Sequence, residues 1–369
     1  MGSRRANPVV HALLGLAVLA ASGAAEARQR SAAQELTLVR QIGSDLDEEA
    51  AFYRIADLAV DDAGKIYVLD SGDHRVIVFD SAGRRLTAFG RRGGGPGEFT
   101  WPIRVVVDSV VRVFDAGQNR VSTFARDGSH LGTTRLPSIS GQRLSGFFPL
   151  RGGHALATTA PRFTHRDDDD PYTTLLAVRP PSTVTDTLAR HRASAALYHK
   201  RDAYAPWGLL DTDLGAGGAW ALSGDSLPAI ADGYEGKVTF YRVSEAGFTR
   251  AAEVRLPERG RPVTEAETRT ILQAAVERSG LRAADVAVQL PPLRSAARAA
   301  LFSHAGELWV QTGAEGGVAR WWVVDPTRDA IREVRLPEGF ELQVVRGDLL
   351  YGTARTELDV PVVQVYRLR

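Results

Sequence analysis

Apolar runs of four to eight residues, separated by clusters rich in Gly, Pro, Asp, Asn and Ser, occupy most of the chain. Runs that short, bounded by turn formers, predict strands joined by hairpins. The first clear set places strands at 55–60, 66–69, 75–79 and 85–89, with turns at Asp62-Ala-Gly64, Ser71-Gly-Asp73 and Ser81-Ala-Gly83. The set then returns: Asp70, Arg75, Phe79 and Gly83 map onto Asp115, Arg120, Phe124 and Gly128 at a constant offset of 45 residues. That period matches a four-stranded antiparallel blade rather than a βαβ unit.

The second unit spans about 103–135. A more diverged third has strands at 144–150, 155–159, 173–178 and 183–188, and a fourth begins near Tyr204 and includes 219–223, 238–243 and 251–256. Residues 263–279 change character, with Glu265, Glu267 and Arg269 set among Ala and Leu, which predicts a helix capped near Thr264 and ended by Gly280. With 282–288 as a second short helical turn, this forms an insertion over about 263–288. A fifth unit covers 298–336, and a sixth has only three strands, at 341–345, 349–353 and 361–368. The early run 36–42 supplies the missing one. The expectation is an all-β, six-bladed β-propeller with four-stranded antiparallel blades, the N-terminal strand closing the last blade and a small helical insertion. Seven blades would require strands across 263–297, against the helical periodicity there.

Residues 1–27 read as a separate object. Arg4 and Arg5 form a basic head, Val9 to Ala20 an apolar stretch and Ala25-Glu-Ala27 a small-x-small cleavage site, the order of a secretory signal peptide. The expected mature chain, 28–369, is one domain with 43 basic and 43 acidic side chains. That balance argues against nucleic-acid binding, which draws on concentrated positive charge. With no cysteine there is neither a disulfide nor a lipid attachment point, and no stable membrane insertion is expected once the leader is removed. The location implied is periplasmic or secreted.

The passage from Ile66 to Pro102 runs from an apolar strand through Asp70-Ser-Gly-Asp-His-Arg75 and Phe79 to Gly90-Arg-Arg-Gly-Gly-Gly-Pro-Gly-Glu-Phe-Thr-Trp-Pro102. It resembles the NHL repeat of bacterial six-bladed propeller proteins. The resemblance is strong over 50–130 and architectural beyond, where Glu307-Leu-Trp-Val310 and Ala203-Tyr-Ala-Pro-Trp207 look like motifs of such proteins. Unit two departs from the pattern with Asp108-Ser-Val in place of Asp-x-x-Gly, which puts its first hairpin in question. The resemblance implies binding modules, sensors, RNA-binding domains and, less often, metal-dependent lyases or hydrolases, so it discriminates poorly among functions.

Asp70 and Asp115 occupy equivalent positions after a strand. They are placed either to offer acceptors to the channel mouth or to build their own turns through side-chain to backbone hydrogen bonds. Arg75 and Arg120 recur with them and read as bonds between blades. Asp167, Asp168, Asp169 and Asp170 have the hard oxygens that calcium takes, but lack the spacing of an EF-hand loop. His199, Arg201, Asp202, Tyr204 and Trp207 form the richest polar and aromatic cluster and are the ligand-binding candidates. His154 and His304 read as turn residues. Trp309, Trp321 and Trp322 lie in strands, where alternation should leave at least one of the adjacent pair more exposed, but they read as core or rim packing rather than as ligand-stacking residues. No Gly-x-Ser-x-Gly elbow, His-Glu-x-x-His helix or nucleophilic cysteine is present, and no cofactor is called for. The expected function is binding of an extracytoplasmic peptide, protein or glycan through propeller loops, more in keeping with this chain than an enzyme. The alternative is a metal-dependent lyase or hydrolase with its site near His199.

Overall fold

A computed structural model of the chain describes residues 35–44, 51–136, 144–150, 153–159, 172–179, 183–192, 196–199, 208–209, 217–223, 227–279, 282–315, 318–328, 330–337 and 339–369. Within them, six antiparallel four-stranded sheets follow one another as the blades of a propeller. Blade 1 is Ile55–Val60, Ile66–Asp70, Arg75–Phe79 and Arg85–Phe89, from the inner strand outward. Blade 2 is Pro102–Val107, Val111–Asp115, Arg120–Phe124 and His130–Arg135. Blade 3 is Leu144–Pro149, Ala155–Thr159, Tyr172–Arg179 and Thr183–Arg192; blade 4 is Gly218–Ser223, Leu227–Asp232, Lys237–Ser244 and Gly247–Arg255. Blade 5 is Ala299–Phe302, Leu308–Glu315, Val318–Asp325 and Ala330–Leu336. Blade 6 takes Glu341–Arg346, Leu349–Arg355 and Pro361–Leu368, and its outer strand is Leu36–Ile42. Residues Leu36 to Ile42 pair antiparallel with Leu368 to Val363, so both ends of the ring are fastened in one sheet.

Burial explains why the middle strands are continuously apolar. Every residue of Ile66–Asp70 is buried, because successive side chains point to opposite neighbours and both neighbours are blades. Ile66 and Val68 pack with Tyr351, Val363 and Val365 of blade 6, while Tyr67 and Leu69 pack with Val105, Val113 and Phe124 of blade 2. Each such side chain contributes roughly 1.5–3 kcal/mol relative to exposure. Trp321 and Trp322 follow the same rule, so both are buried, at 2% and 6% exposure: one faces blade 6 and the other blade 4. The core packing expected of these tryptophans holds, and the difference in exposure expected within the pair is small. Alternation in a third strand chooses between two interiors.

Two other expectations are corrected. Blade 4 begins at Gly218, not near Tyr204, and its second strand, Leu227–Asp232, escaped the sequence reading. Residues 282–288 do not continue as helix beyond the short turn Ala283–Asp285, because Val286–Gln289 is a strand paired with Ala196–His199. With Gly208–Leu209, these make a small three-stranded sheet outside the blades, and Arg261–Pro262 pairs with Leu293–Arg294 beside it. His154 is, as expected, a turn residue: its carbonyl accepts the Leu150 amide at 2.8 Å between the first two strands of blade 3, and its ring is buried edge-on against Phe248. By contrast, the first hairpin of blade 2 does close, since the Val110 amide donates to the Asp108 carboxylate at 3.0 Å and makes the shorter turn sufficient.

Helix α1 spans Glu265–Ser279. Its start is a reciprocal capping box: the Glu267 amide donates to Thr264 Oγ1 at 3.2 Å, and the Thr264 amide to Glu267 Oε2 at 3.0 Å. Arg261 and Arg294 also grip the Glu267 carboxylate at 2.7 and 2.6 Å. Hydrogen bonding from Arg261, reinforced by Thr264 and Arg294, holds this carboxyl far below the usual carboxylate range. The helix is therefore anchored to the small two-stranded ladder at its N-terminal end. Among the described residues no helix is long and apolar enough to cross a membrane.

Candidate functional site

The ring has two faces. One carries the turns between first and second and between third and fourth strands; the other, here the crossing face, carries the turns between second and third strands and the links from blade to blade. On the crossing face, blades 1 and 2 repeat one device. The Asp70 carboxylate, fully buried, accepts the amides of Tyr53 at 3.2 Å and Arg54 at 2.9 Å. The Asp115 carboxylate, also fully buried, accepts those of Thr100 at 2.8 Å and Trp101 at 2.9 Å. The amide after each aspartate closes the device, from Ser71 to the Arg54 carbonyl and from Ala116 to the Trp101 carbonyl. Asp115 further accepts the Gly117 amide and Gln118 Nε2, both at 3.0 Å. The two aspartates thus hold the backbone of the link entering their blade, and their acceptors are used in doing so.

The arginines complete the device. Arg75 pairs with Asp73 at 2.9 Å and donates to the Ala51 carbonyl at 3.3 Å. Arg120 donates to the carbonyls of Gly94, Gly95 and Glu98 at 3.1, 2.8 and 2.6 Å, which fixes the glycine-rich link from within. Glu98 secures the same link by accepting the Gly95 amide at 2.7 Å. That amide, with Arg91, holds its carboxyl below the usual range. Gly72 is required because a Cβ there would lie 2.1 Å from the Tyr53 ring, and Gly117 because one would lie 2.3 Å from Thr100 Oγ1.

These fixed links present large apolar side chains to solvent. Tyr53 is 76% exposed and Trp101 48%, and on the same face Leu358, in the turn between the second and third strands of blade 6, is 73% exposed. Blades 6, 1 and 2 are consecutive, so the three form an arc on one face. Isolated exposed leucines are ordinary, but two exposed aromatics on backbone clamped by buried charge are not. The sequence reading missed Tyr53 and Trp101. Their signal was there: each lies just before the inner strand of a repeated unit.

Inside the ring, the inner strands bring polar groups to the central channel. Those of blades 1, 2, 3 and 6 each carry a bulge, after Ile55, Pro102, Leu144 and Leu342. Asp57 Oδ2 accepts the Val105 amide across the boundary of blades 1 and 2 at 2.8 Å. Burial pushes its carboxyl up, against the pull of Arg104. Ser145 donates to Thr158 Oγ1 at 3.0 Å, and Gln343 Nε2 to Thr353 Oγ1 at 3.4 Å. On the opposite face, the turns of blades 5, 6 and 1 enclose an open recess of about 570 Å³ bridged by His304 and Asp62 at 3.2 Å. Arg346 turns its guanidinium there onto the Asp61 and Asp62 carbonyls.

Among the sequence candidates, the structure unites Asp70 with Arg75, and Asp115 and Arg120 with one link. His199 ends the strand Ala196–His199 of the small outer sheet, its backbone opposite Val286. Arg201, Asp202, Tyr204, Trp207 and Asp167 to Asp170 lie outside the described residues. Among the described residues no group of three His, Asp or Glu side chains is arranged to hold a metal.

A family model described as a 6-bladed beta-propeller, DUF5128, matches residues 28–153. No curated protein matches the chain in sequence. Among solved structures, a Bacteroides fragilis protein described as exported is 14% identical with a TM-score of 0.53, over 92% of this chain and 98% of that one. Virginiamycin B lyase of Staphylococcus aureus is 12% identical with a TM-score of 0.43, over 91% and 100%. Regucalcin of Agrobacterium tumefaciens, a calcium-binding protein, is 11% identical with a TM-score of 0.43, over 89% and 95%. At such identities the likeness concerns the fold, which proteins of different activities share.

Proposed function

We propose that this is an exported binding protein, an NHL-type propeller over 28–369 left after removal of residues 1–27, that recognises a peptide, protein or glycan on its crossing face without turning it over. The observation that carries the reading is the exposure of Tyr53 and Trp101 on links whose amides are held by Asp70 and Asp115. A rigid aromatic side chain on a fixed backbone loses little freedom when a partner covers it, so its apolar area converts efficiently into affinity. The repeated aspartates and arginines act one step behind the surface, as positioning residues. Export is supported by the basic head, apolar stretch and Ala25-Glu-Ala27 site.

The test is a screen of immobilised peptides and glycans with residues 28–369, repeated with Tyr53→Ala/Trp101→Ala and with Leu86→Ala on the outer rim. Binding lost in the double variant and kept in the rim variant supports the reading. A partner indifferent to the double variant overturns the choice of face. Mass spectrometry of the recovered ligand checks the absence of turnover, and a cleaved or eliminated product would put a lyase or hydrolase in its place.

A further inference from the structure

We infer that the outer edge of blade 5 is a self-pairing surface. A second copy of this chain adds its own Ala330–Leu336 strand there, antiparallel, and joins two blades into one continuous sheet. The outermost strand of any open sheet exposes a row of unpaired amides and carbonyls, a template for another strand. A β-bulge spoils that template by bending the strand and interrupting its register. In this ring the outer strands of blades 1, 2, 3, 4 and 6 are all bulged. The extra residue is Leu86 in blade 1, Leu131 in blade 2, Thr185 and again Leu188 in blade 3, Ala251 in blade 4 and Val39 in blade 6. Blade 5 differs: its outer strand pairs without interruption from Leu336 with Ala319 to Ala330 with Asp325. Among the described residues no further strand lies on its outer side.

Charge selects both the occupant and its register. The ionic groups around this strand balance. Arg335 and Arg320 pair with Glu333 at 2.8 and 3.4 Å, Arg320 also with Glu258, Arg332 with Glu307 at 3.3 Å and Arg328 with Asp325 at 3.2 Å. A second copy therefore meets no net repulsion. Residues directly opposite in an antiparallel pair share a face, so a strand that pairs with its own copy does so about one residue on the two-fold axis. Centred on Arg332, Glu333 or Arg335, that residue meets itself, like charge against like. Centred nearer either end, the strands barely overlap. Centred on Val334, Glu333 lies opposite Arg335 of the second copy twice over, and Arg332 opposite Leu336. Within one chain Arg335 already stands opposite Arg320, a like pair. The incoming Glu333 takes the open side of Arg335 and sets an anion directly beside it. Because each outer strand runs toward the crossing face, antiparallel pairing points the crossing faces of the two rings in opposite directions.

The experiment is analytical sedimentation of residues 28–369 at about 10 and about 100 µM, with thermal melting of every variant to confirm folding. The expected result is a monomer that shifts toward dimer as concentration rises. Glu333→Arg and Arg335→Glu each set like charges opposite one another twice, and each should weaken the dimer about tenfold or more. An equimolar mixture of the two variants should restore it, because each chain then meets the opposite charge at both positions. No change within a single chain can produce that rescue. Leu86→Arg, on the bulged edge of blade 1, should leave the dimer as it is. A monomer at both concentrations would overturn the inference. A dimer that persists in both charge variants, or is lost in Leu86→Arg, would overturn the choice of edge. Folded variants that are monomeric alone and remain so when mixed would overturn the pairing about Val334.

Discussion

Blades 1 and 4 begin with the same hydrogen bond and use it differently. In blade 1 the Ser71 amide meets the Arg54 carbonyl; in blade 4 the Gly233 amide meets that of Gly217 at 3.0 Å. The position that displays Arg54 in blade 1 and Trp101 in blade 2 is therefore a glycine in blade 4. It is buried, with φ of 75°, beneath the Tyr234 ring. The aspartate differs too. Asp232 holds the amides of its own turn, Tyr234 and Glu235, both at 2.9 Å, and, among the described residues, no amide of the incoming link. The inner strand of blade 4 is unbulged, pairing in register from Gly218 with Asp232 to Ser223 with Leu227. Blades 1 and 2 present side chains to solvent, whereas blade 4 supports other parts of the chain. One frame serves both ends by changing what a single carboxylate holds.

The sharpest way to break the comparison is to remove that carboxylate. Asp115→Ala leaves several inward amides without acceptors and should cost about 3 kcal/mol or more, whereas Asp232→Ala should cost about 1 kcal/mol. Urea unfolding of both variants checks this, and equal losses would mean that the two aspartates do the same job. Next in size, Arg120→Met uncovers three carbonyls of the glycine-rich link and should cost about 2 kcal/mol. Arg75→Ala, which frees one carbonyl and two carboxylates, should lower the melting temperature by less.

A smaller effect separates the insertion from the blades. Because Glu267 titrates far below its unfolded value of 4.5, its contribution is present above that pH and is lost as the pH falls toward its folded value. Glu267→Gln should cost roughly 1 kcal/mol at pH 7 and flatten the acid limb of a stability profile. The smallest effect belongs to His191 on the outer strand of blade 3. Burial lowers its pKa from 6.5, only partly offset by Asp232. The neutral form is thus favoured by folding, stability is complete above pH 6.5, and it declines as the pH falls through the folded value. Melting curves between pH 7 and pH 5 should drop less steeply in His191→Gln.

How much of this was readable from the sequence depended on whether a signal was local. The strands 75–79 and 85–89 were legible because turn formers bracket them within a few residues. The pairing of 36–42 with the last strand was legible only by counting, since the sixth unit lacked a strand. Leu227–Asp232 was hidden by Pro228 and by a short apolar stretch with no repeat to compare it with. Val286–Gln289 was hidden because its partner, Ala196–His199, lies far away in sequence. At the candidate site, the repeat drew attention to Asp70, Arg75, Asp115 and Arg120 but not to the backbone groups of the preceding link that they hold, because those lie outside the repeated motif. Tyr53 and Trp101 were passed over since an exposed aromatic and a core aromatic are indistinguishable without knowing where the backbone goes.

The fastening of the ring also sets a timetable. Among the described residues, Leu36 to Ile42 find their only sheet partner in Pro361–Leu368, the longest separation of any strand pair there, so closure is the contact with the greatest loop entropy to overcome. Until the last strand arrives, blade 6 has an open edge and the apolar flanks of blades 6 and 1, including Tyr351 and Ile66, face water. A chain interrupted before its final strand would therefore be a polymerisation hazard and a protease substrate, however well its first five blades had formed.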